Sequence, residues 1–380
     1  MTESIETVDI LIAGAGPVGM TLQLALAAGG KKSLLIDRRP QEALQSDPRV
    51  LALAHGARQL LETLDAWPAR TATAIETIHI SQKGGFGRTL LDRAEHRLPA
   101  LGYVVRYRDL AAALAARLPA GGLLESTEIV AREDDGDGLL VTLRDASGER
   151  QIRTRLLVHA EGTPGDGDAY RFADYHQHAV ICEVTPTPEH GNRAWERFTP
   201  DGPLALLPLG QEFSVVFTLP PEKADAVMAL DDDAFVAALQ AQFGRHLRFA
   251  QPGKRSRFPL ALRLRKTLVE GSEVWIGNSA QTLHPVSGQG FNLGLRDAWQ
   301  LADFLLENGV DRRTLPCYPA SRRLDRGAGA VFTDQVVRLF SNDFAPFKLA
   351  RGLGLLALDL CPPARHFVAK RMIWGARAWP

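Results

Sequence analysis

The residues able to do chemistry cluster in two glycine turns at opposite ends of the chain. Gly14-Ala15-Gly16-Pro17-Val18-Gly19 follows the apolar, β-branched run Val8–Ala13. An alanine- and leucine-rich stretch then runs to Ala28, Gly29-Gly30 closes it, and Ser33–Ile36 forms a second apolar run ending in Asp37. In a strand-helix-strand unit, Gly14 permits the tight turn, Gly16 lets the backbone approach a pyrophosphate, and Gly19 lets helix and strand pack closely. Asp37 is placed to accept from a ribose hydroxyl, and an acid there favours the unphosphorylated ribose of FAD or NAD. Arg38 and Arg39 follow, available to a phosphate or to solvent.

The second turn lies within Trp275–Trp299. A strand at Val274–Ile276 breaks at Gly277, a loop carries Pro285, Gly288 and Gly290, and a helix opens near Phe291 and Asn292. Leu293, Leu295, Ala298, Leu301, Ala302 and Leu305 recur at helical spacing, and Asn308-Gly309 is a stop signal. A glycine loop feeding a helix offers unpaired N–H groups at a positive dipole end, where a phosphate or another electron-rich acceptor can dock. An ordinary strand-loop-helix connection reads the same way. The three cysteines, Cys182, Cys317 and Cys361, are far apart and form no C-x-x-C. That argues against a disulfide framework and a zinc knuckle, and it fits a reducing compartment. No metal site is expected. No general base stands out: Tyr175, His176 and His178 read as structural, and the catalytic residues stay unassigned.

The elements that hold these turns follow from pattern. Arg49 precedes an apolar turn and helix over 50–64. Strands are expected at 75–81 and 89–91 around Gly84–Gly87. A strand from Gly102 leads through Arg106 into an alanine-rich helix ending near Leu118. Residues 139–143 and 151–157 read as strands joined by an Asp145–Gly148 turn, the second running on to Glu161-Gly162. Strands at 180–184, 193–198, 204–208 and 213–219 form an antiparallel sheet, with a helix over 231–243 packed on it. Phe198, Leu206, Phe213 and Phe217 read as its core. Beyond Asp311 the chain is helical, with Arg322, Arg323 and Arg326 flanking a helix to Phe340.

The pattern resembles the second FAD fingerprint of the group A flavoprotein aromatic monooxygenases. It rests on Gly277-Asn278 with His284-Pro285-Val286-Ser287-Gly288-Gln289-Gly290-Phe291-Asn292-Leu293-Gly294-Leu295-Arg296-Asp297. Arg49–Ala54, Glu196–Thr199 with Gly202–Ala205, and Gly253–Ser256 with Pro259–Leu262 narrow it. Over nearly its whole length the chain is similar to the ubiquinone-biosynthesis hydroxylases. The resemblance implies an α/β, p-hydroxybenzoate hydroxylase-like fold: a Rossmann-like FAD-binding domain in three segments (1–73, 99–174 and 265–310). An antiparallel-sheet substrate domain (74–98 and 175–264) is inserted into it, and a helical region (311–380) follows.

It also implies that Arg49 approaches the pyrophosphate, that Arg106 contacts adenosine or pyrophosphate, and that Asn278 binds the ribityl chain. Glu161-Gly162 stands where the family carries Asp-Gly, and Gly165-Asp166-Gly167-Asp168 departs from the usual Ser-x-x-Arg. By the same resemblance the activity is hydroxylation of a polyprenylated phenol, of 2-polyprenyl-6-methoxyphenol type, through a flavin C4a-hydroperoxide, with O2 and with NADPH or NADH as donor. A flavin-binding, weakly active subunit of a quinone-biosynthesis assembly is the rival reading.

Lys+Arg and Asp+Glu both number 44, a balance that argues against nucleic acid as a partner. No charged segment with an apolar block precedes the first strand, and no apolar run approaches the roughly 20 residues of a membrane span. The expected location is cytoplasmic. The tail adds a peripheral option at the inner membrane, for Lys348, Arg351, Arg365, Lys370, Arg371 and Arg377 interleave there with apolar patches. Such a tail suits a membrane surface or other quinone-biosynthesis enzymes, and equally a helical lid over the core.

Overall fold

The computed structural model describes residues 5–163, 167–244, 246–340 and 345–375. Gly165, Asp166 and Arg377 lie outside them. Parallel strands β1 (Glu6–Ala13), β2 (Leu34–Ile36), β8 (Leu123–Leu124), β11 (Gly148–His159) and β19 (Glu273–Trp275) form the centre of an eight-stranded sheet. The edge strand β18 (Val269–Glu270) completes one side, and the hairpin β9 (Glu128–Asp134) and β10 (Leu139–Asp145) pairs antiparallel onto β11. Side chains alternate between faces along a strand. Ile10, Ile12, Leu35, Leu156 and Val158 therefore face the helices α1 (Pro17–Ala28), α4 (Tyr107–Ala115) and α7 (Gln289–Asn308). Leu11, Ala13, Leu34, Ile36 and Leu157 face Leu139, Val141 and Leu143 of the hairpin.

A nine-stranded sheet carries the middle of the chain. Its order is β20 (Gln281–Thr282), β17 (Ser256–Arg265), β12 (Tyr170–Thr187), β15 (Glu212–Leu219), β14 (Gly202–Leu209), β13 (Arg193–Thr199), β5 (Thr77–Gln82) and β6 (Arg88–Asp92). The short β16 (Arg248–Ala250) pairs with β12. Only β13 and β5 run parallel. One face, with Val180, Leu206, Phe213, Val215 and Phe217, is covered by α5 (Pro221–Met228) and α6 (Asp232–Phe243). Leu206, Phe213 and Phe217 are thus core, as expected, and Phe198 packs instead with Val286 and Val337.

Four expectations are corrected. The turn and helix over 50–64 is a strand, β3 (Val50–Ala54), followed by the helix α3 (His55–Thr63). Pairing decides this: β3 runs antiparallel to β7 (Gly102–Arg106), which also pairs with β4 (Thr73–Ile75). The strand expected over 75–81 is two strands in different sheets, β4 and β5. They part at Glu76, whose carboxylate is held by Arg93 and Asn192 at 3.0 and 3.1 Å. The strand near 180 is the last part of the 18-residue β12, bulged between Asp174 and Gln177. Arg322, Arg323 and Arg326 lie inside a helix, α8 (Tyr318–Phe340), rather than flanking one.

Helices α9 (Ala345–Leu360) and α10 (Pro362–Trp374) end the described chain. Ala369 and Ile373 of α10 are buried with Leu91 and Leu101, and Trp374 packs edge-on to His55 at 5.3 Å. This part of the tail is a lid.

Candidate functional site

The two glycine turns meet. Gly14 sits at φ 106°, in the left-handed region that favours glycine. A Cβ there would lie 2.5 Å from the Ala160 carbonyl and 2.6 Å from the Glu161 nitrogen. A Cβ on Gly19 would lie 2.0 Å from the Gly14 oxygen. Val18 of α1 packs on the second turn, 3.1 Å from the position a Cβ would take on Gly277 and on Gly294. The Glu161-Gly162 turn closes the third side, where the Gly162 carbonyl accepts from Ser279 Oγ at 3.1 Å. Residues 14–19, 160–162 and 277–279 are therefore packed against one another.

Around the first turn the side chains are polar and committed. Asp37 is buried. It accepts from Ala15 N–H at 2.8 Å and from Arg39 N–H at 2.9 Å. Arg39, rather than the exposed Arg38, is the cation that engages it, at 3.2 Å. Arg49 pairs with Asp47 at 2.6 Å and lies 4.5 Å over the Tyr107 ring. Burial works against the Arg49 cation, and the Asp47 carboxylate outweighs it, so the guanidinium is held even more firmly charged. A Cβ on Gly16 would lie 3.3 Å from Tyr107 Oη. Arg106 pairs with Glu183 at 2.5 Å and shares a cleft with Arg49, on the sheet side of the turn.

Glu161 is exposed and turns to His159, 3.1 Å from Nδ1. Glu273 holds the other ring nitrogen at 2.7 Å, and the ring stacks on Trp275 at 4.6 Å. Burial lowers the His159 pKa, and the two carboxylates more than reverse that, so it stands above its usual value.

The second turn is held from behind. Asp297 of α7 is buried and accepts from Gly277 N–H at 3.1 Å, from Gln281, and from Arg322 Nε at 2.8 Å. Arg322 is fully buried and also reaches Gln300 at 2.5 Å and Asp325 at 3.2 Å. Arg296 meets Asp325 at 2.7 Å. Asn292 spends its whole side chain on backbone: Oδ1 accepts from Ala54 N–H at 2.8 Å, and Nδ2 donates to Ala52 O and Gly288 O at 2.9 and 2.7 Å. Asn278 donates to Thr163 Oγ1 at 3.4 Å. Gly288, at φ 61°, is the N-cap of α7 and supplies no capping side chain. Helix α7 therefore begins without a hydrogen bond from its N-cap side chain.

In front of that helix end lies an apolar cavity of about 120 Å³. Its floor is the second face of the nine-stranded sheet: Ala194 and Glu196, Pro203, Ala205 and Leu207, Val216 and Thr218. Its roof is Ala52–Ala54, the Pro285–Gln289 loop and Asn292, with Ala369, Met372 and Ile373 of the lid. These features fit a flavin dinucleotide. Two uncapped helix N-termini, at Gly16 and Gly288, end at glycine turns that close contacts keep free of side chains. An apolar chamber adjoins the second of them, of the kind that takes a small aromatic ring.

The comparisons decide the family. The model of the FAD-binding domain family matches residues 7–324. A ubiquinone hydroxylase, UbiL, of Rhodospirillum rubrum is 34% identical, across 98% of this chain and 91% of its own. The chain belongs to the FAD-dependent ubiquinone hydroxylases. FAD is its cofactor, and it is an aromatic-ring monooxygenase of that family. A 3-demethoxyubiquinol 3-hydroxylase of Escherichia coli is 29% identical, across 92% of this chain and 94% of its own. The fold is that of p-nitrophenol 4-monooxygenase PnpA from Pseudomonas putida, at TM-score 0.77 and 14% identity over 97% of this chain and 98% of that one.

Two features escaped sequence reasoning. The Asp297–Arg322–Asp325–Arg296 network joins residues 29 apart at most, yet i,i+3 spacing identifies only the Arg322–Asp325 pair. Glu196 had a signal: it is an acid between Ala194 and Phe198 at the inward positions of a strand.

Proposed function

We propose that this hydroxylase inserts one oxygen atom into the ring of a polyprenylated phenol, with NADPH or NADH as donor. The observation that carries the reading is the apolar cavity between the uncapped α7 N-terminus and the sheet. Bound FAD supplies the oxygen activation. The chain's own residues do the rest. Residues 14–19, Asp37 with Arg39, Arg49 and the Glu161-Gly162 turn hold the dinucleotide, with Arg106 beside Arg49 on the sheet side. Asn278, Pro285, Gly288, Gly290 and Phe291 hold the ring end, and Asn292 fixes the loop that carries them. The α7 N–H groups stabilise negative charge on that end. The sheet face and lid exclude water.

The lipid partner belongs to the same reading. Among the described residues, no helix is long and apolar enough to cross a membrane. Helix α9 nevertheless exposes Leu349, Leu353, Leu356 and Leu360, a stripe at helical spacing. It suits the surface of the membrane that stores a prenylated substrate, or another quinone-biosynthesis enzyme working there.

The test is hydroxylation of a farnesylated 2-methoxyphenol by purified holoenzyme with NADPH, NADH or chemical reductant under O2. A product heavier by one oxygen atom is expected. Binding of the phenol without product under all three reductants would overturn the reading in favour of an inactive flavin-binding subunit. Flotation with anionic vesicles, lost in Leu353→Ser with Leu356→Ser, tests the stripe.

A further inference from the structure

Among the described residues, Glu196 is the sole ionisable side chain lining the cavity. Its Oε1 is sealed from solvent and has no hydrogen-bond partner, and the same holds for Thr218 Oγ1 on the same sheet face. The residue keeps some accessible surface overall, and its carboxylate charge is shared by two oxygens, of which Oε1 is the sealed one. The neighbouring cation does not help. Arg197 projects to the opposite face, where it donates to Gln242 O at 3.1 Å and Ser81 Oγ at 3.4 Å. The elements around the cavity present Ile78 from β5, Ala205 from β14, Ala52–Ala54 from β3, Pro285–Gln289 from the loop, and Ala369, Met372 and Ile373 from α10. None of these titrates. Burial pushes the Glu196 carboxyl up to about 7. An unpaired buried acid costs stability, and a polar ligand entering the chamber would supply its partner.

On the reading that the cavity takes the phenol ring, we propose that Glu196 accepts the proton of the substrate's ring hydroxyl, with Thr218 hydrogen-bonded to a second ring oxygen. The O–H bond of the phenol breaks, its electron pair stays on oxygen, and a new O–H bond forms on the Glu196 carboxylate. The phenolate so formed is the electron-rich ring that attacks an electrophilic oxygen. The proton returns to the product's phenolate oxygen, which regenerates the carboxylate. The inserted oxygen comes from O2 with the electrons of the nicotinamide or chemical reductant, and the proton displaced from the ring carbon leaves with the second oxygen atom as water. A base whose pKa lies near the working pH suits this task.

The experiment uses holoenzyme of the wild type, Glu196→Gln and Glu196→Asp, with a farnesylated 2-methoxyphenol as probe. Binding is read from the flavin spectrum, ionisation from the phenolate difference band against pH, and oxygen transfer from single-turnover product. Glu196→Gln should bind the phenol within about threefold of wild type, lack the phenolate band at pH 7, and transfer oxygen about 10²–10⁴ times more slowly. Its rate should then climb with pH toward the phenol's own ionisation near 10, whereas the wild type levels off near 7. Glu196→Asp should recover part of both signals. A phenolate band and rate in Glu196→Gln within about threefold of wild type would overturn the assignment. If Glu196→Gln fails to keep its flavin, a Glu196→Asp holoenzyme without any band or titration near neutrality does the same. Failure of the wild type to bind the phenol sinks the substrate reading itself, and is told apart by the flavin spectrum.

Discussion

Asp297 is a buried carboxylate and Glu196 a half-buried one lining the apolar cavity, and they are treated in opposite ways. Asp297 receives a backbone N–H, an amide and a guanidinium. Glu196 Oε1 receives nothing. The first arrangement leaves no capacity for a ligand and pins the Gly277 turn to α7 and α8. The second leaves a sealed oxygen whose partner a ligand can supply. Pairing separates the two groups more sharply than burial does, because Asp297 and the Glu196 Oε1 atom are both out of water.

The largest effect should come from cutting the paired side. Arg322→Met leaves Asp297 and Asp325 buried without their shared cation, a change that typically costs 3–5 kcal/mol. Urea unfolding should show that loss, with flavin retention falling in parallel. An unchanged midpoint would mean that the network is not what holds the second turn.

On the unpaired side the sign reverses with pH. A carboxyl raised from 4.5 to about 7 by burial favours the folded state only while protonated. Its cost is absent below pH 4.5, grows between the two values, and is complete above 7, on the order of 3 kcal/mol. The stability of Glu196→Gln relative to wild type should therefore rise by about that amount between pH 4.5 and 8. The slope is the test, because a buried glutamine carries its own pH-independent cost. A flat difference would show that Oε1 has a partner in solution.

The first glycine turn belongs to neither case, since backbone alone makes its closest contacts. Gly19→Ala puts a Cβ 2.0 Å from the Gly14 oxygen. Helix and strand must separate, at a cost of about 1–3 kcal/mol typical of overpacking. Flavin content per chain, read from absorbance, should drop, and a fully yellow variant would show that the turn tolerates the shift.

This contrast also explains what was legible in the sequence. Glycine turns, strand alternation and helix stops are local, so the Gly14–Gly19 unit and the α7 start were readable from spacing. The Val50–Ala54 strand was not, because its strand character comes from pairing with Gly102–Arg106 some 50 residues away. The partner of Asp297 was not, because Arg322 lies on another helix and meets it only through packing. Arg106 could be placed near Arg49, but its pairing with Glu183 depends on how the sheet docks against the turn. Which acids are paired is a tertiary fact, and it decided which carboxylate is poised for chemistry.

The smallest expected effect falls on a third carboxylate, intermediate between the other two. Glu161 has a partner, His159, but about half of its side chain is exposed. Solvent screening limits an exposed pair of this kind to about 0–1 kcal/mol. His159 titrates above its ordinary value in the folded chain, so its favourable contribution is complete below the unfolded pKa and fades as pH rises through the folded one. Glu161→Gln should therefore lower stability by under about 1 kcal/mol in mildly acidic solution and by nothing measurable once the imidazole is neutral. Glu273 still binds the other ring nitrogen, so the histidine should keep part of its elevation, visible in an NMR titration of the ring. A larger loss, or one that persists at alkaline pH, would mean that Glu161 shapes the turn beside Gly14 through more than its charge.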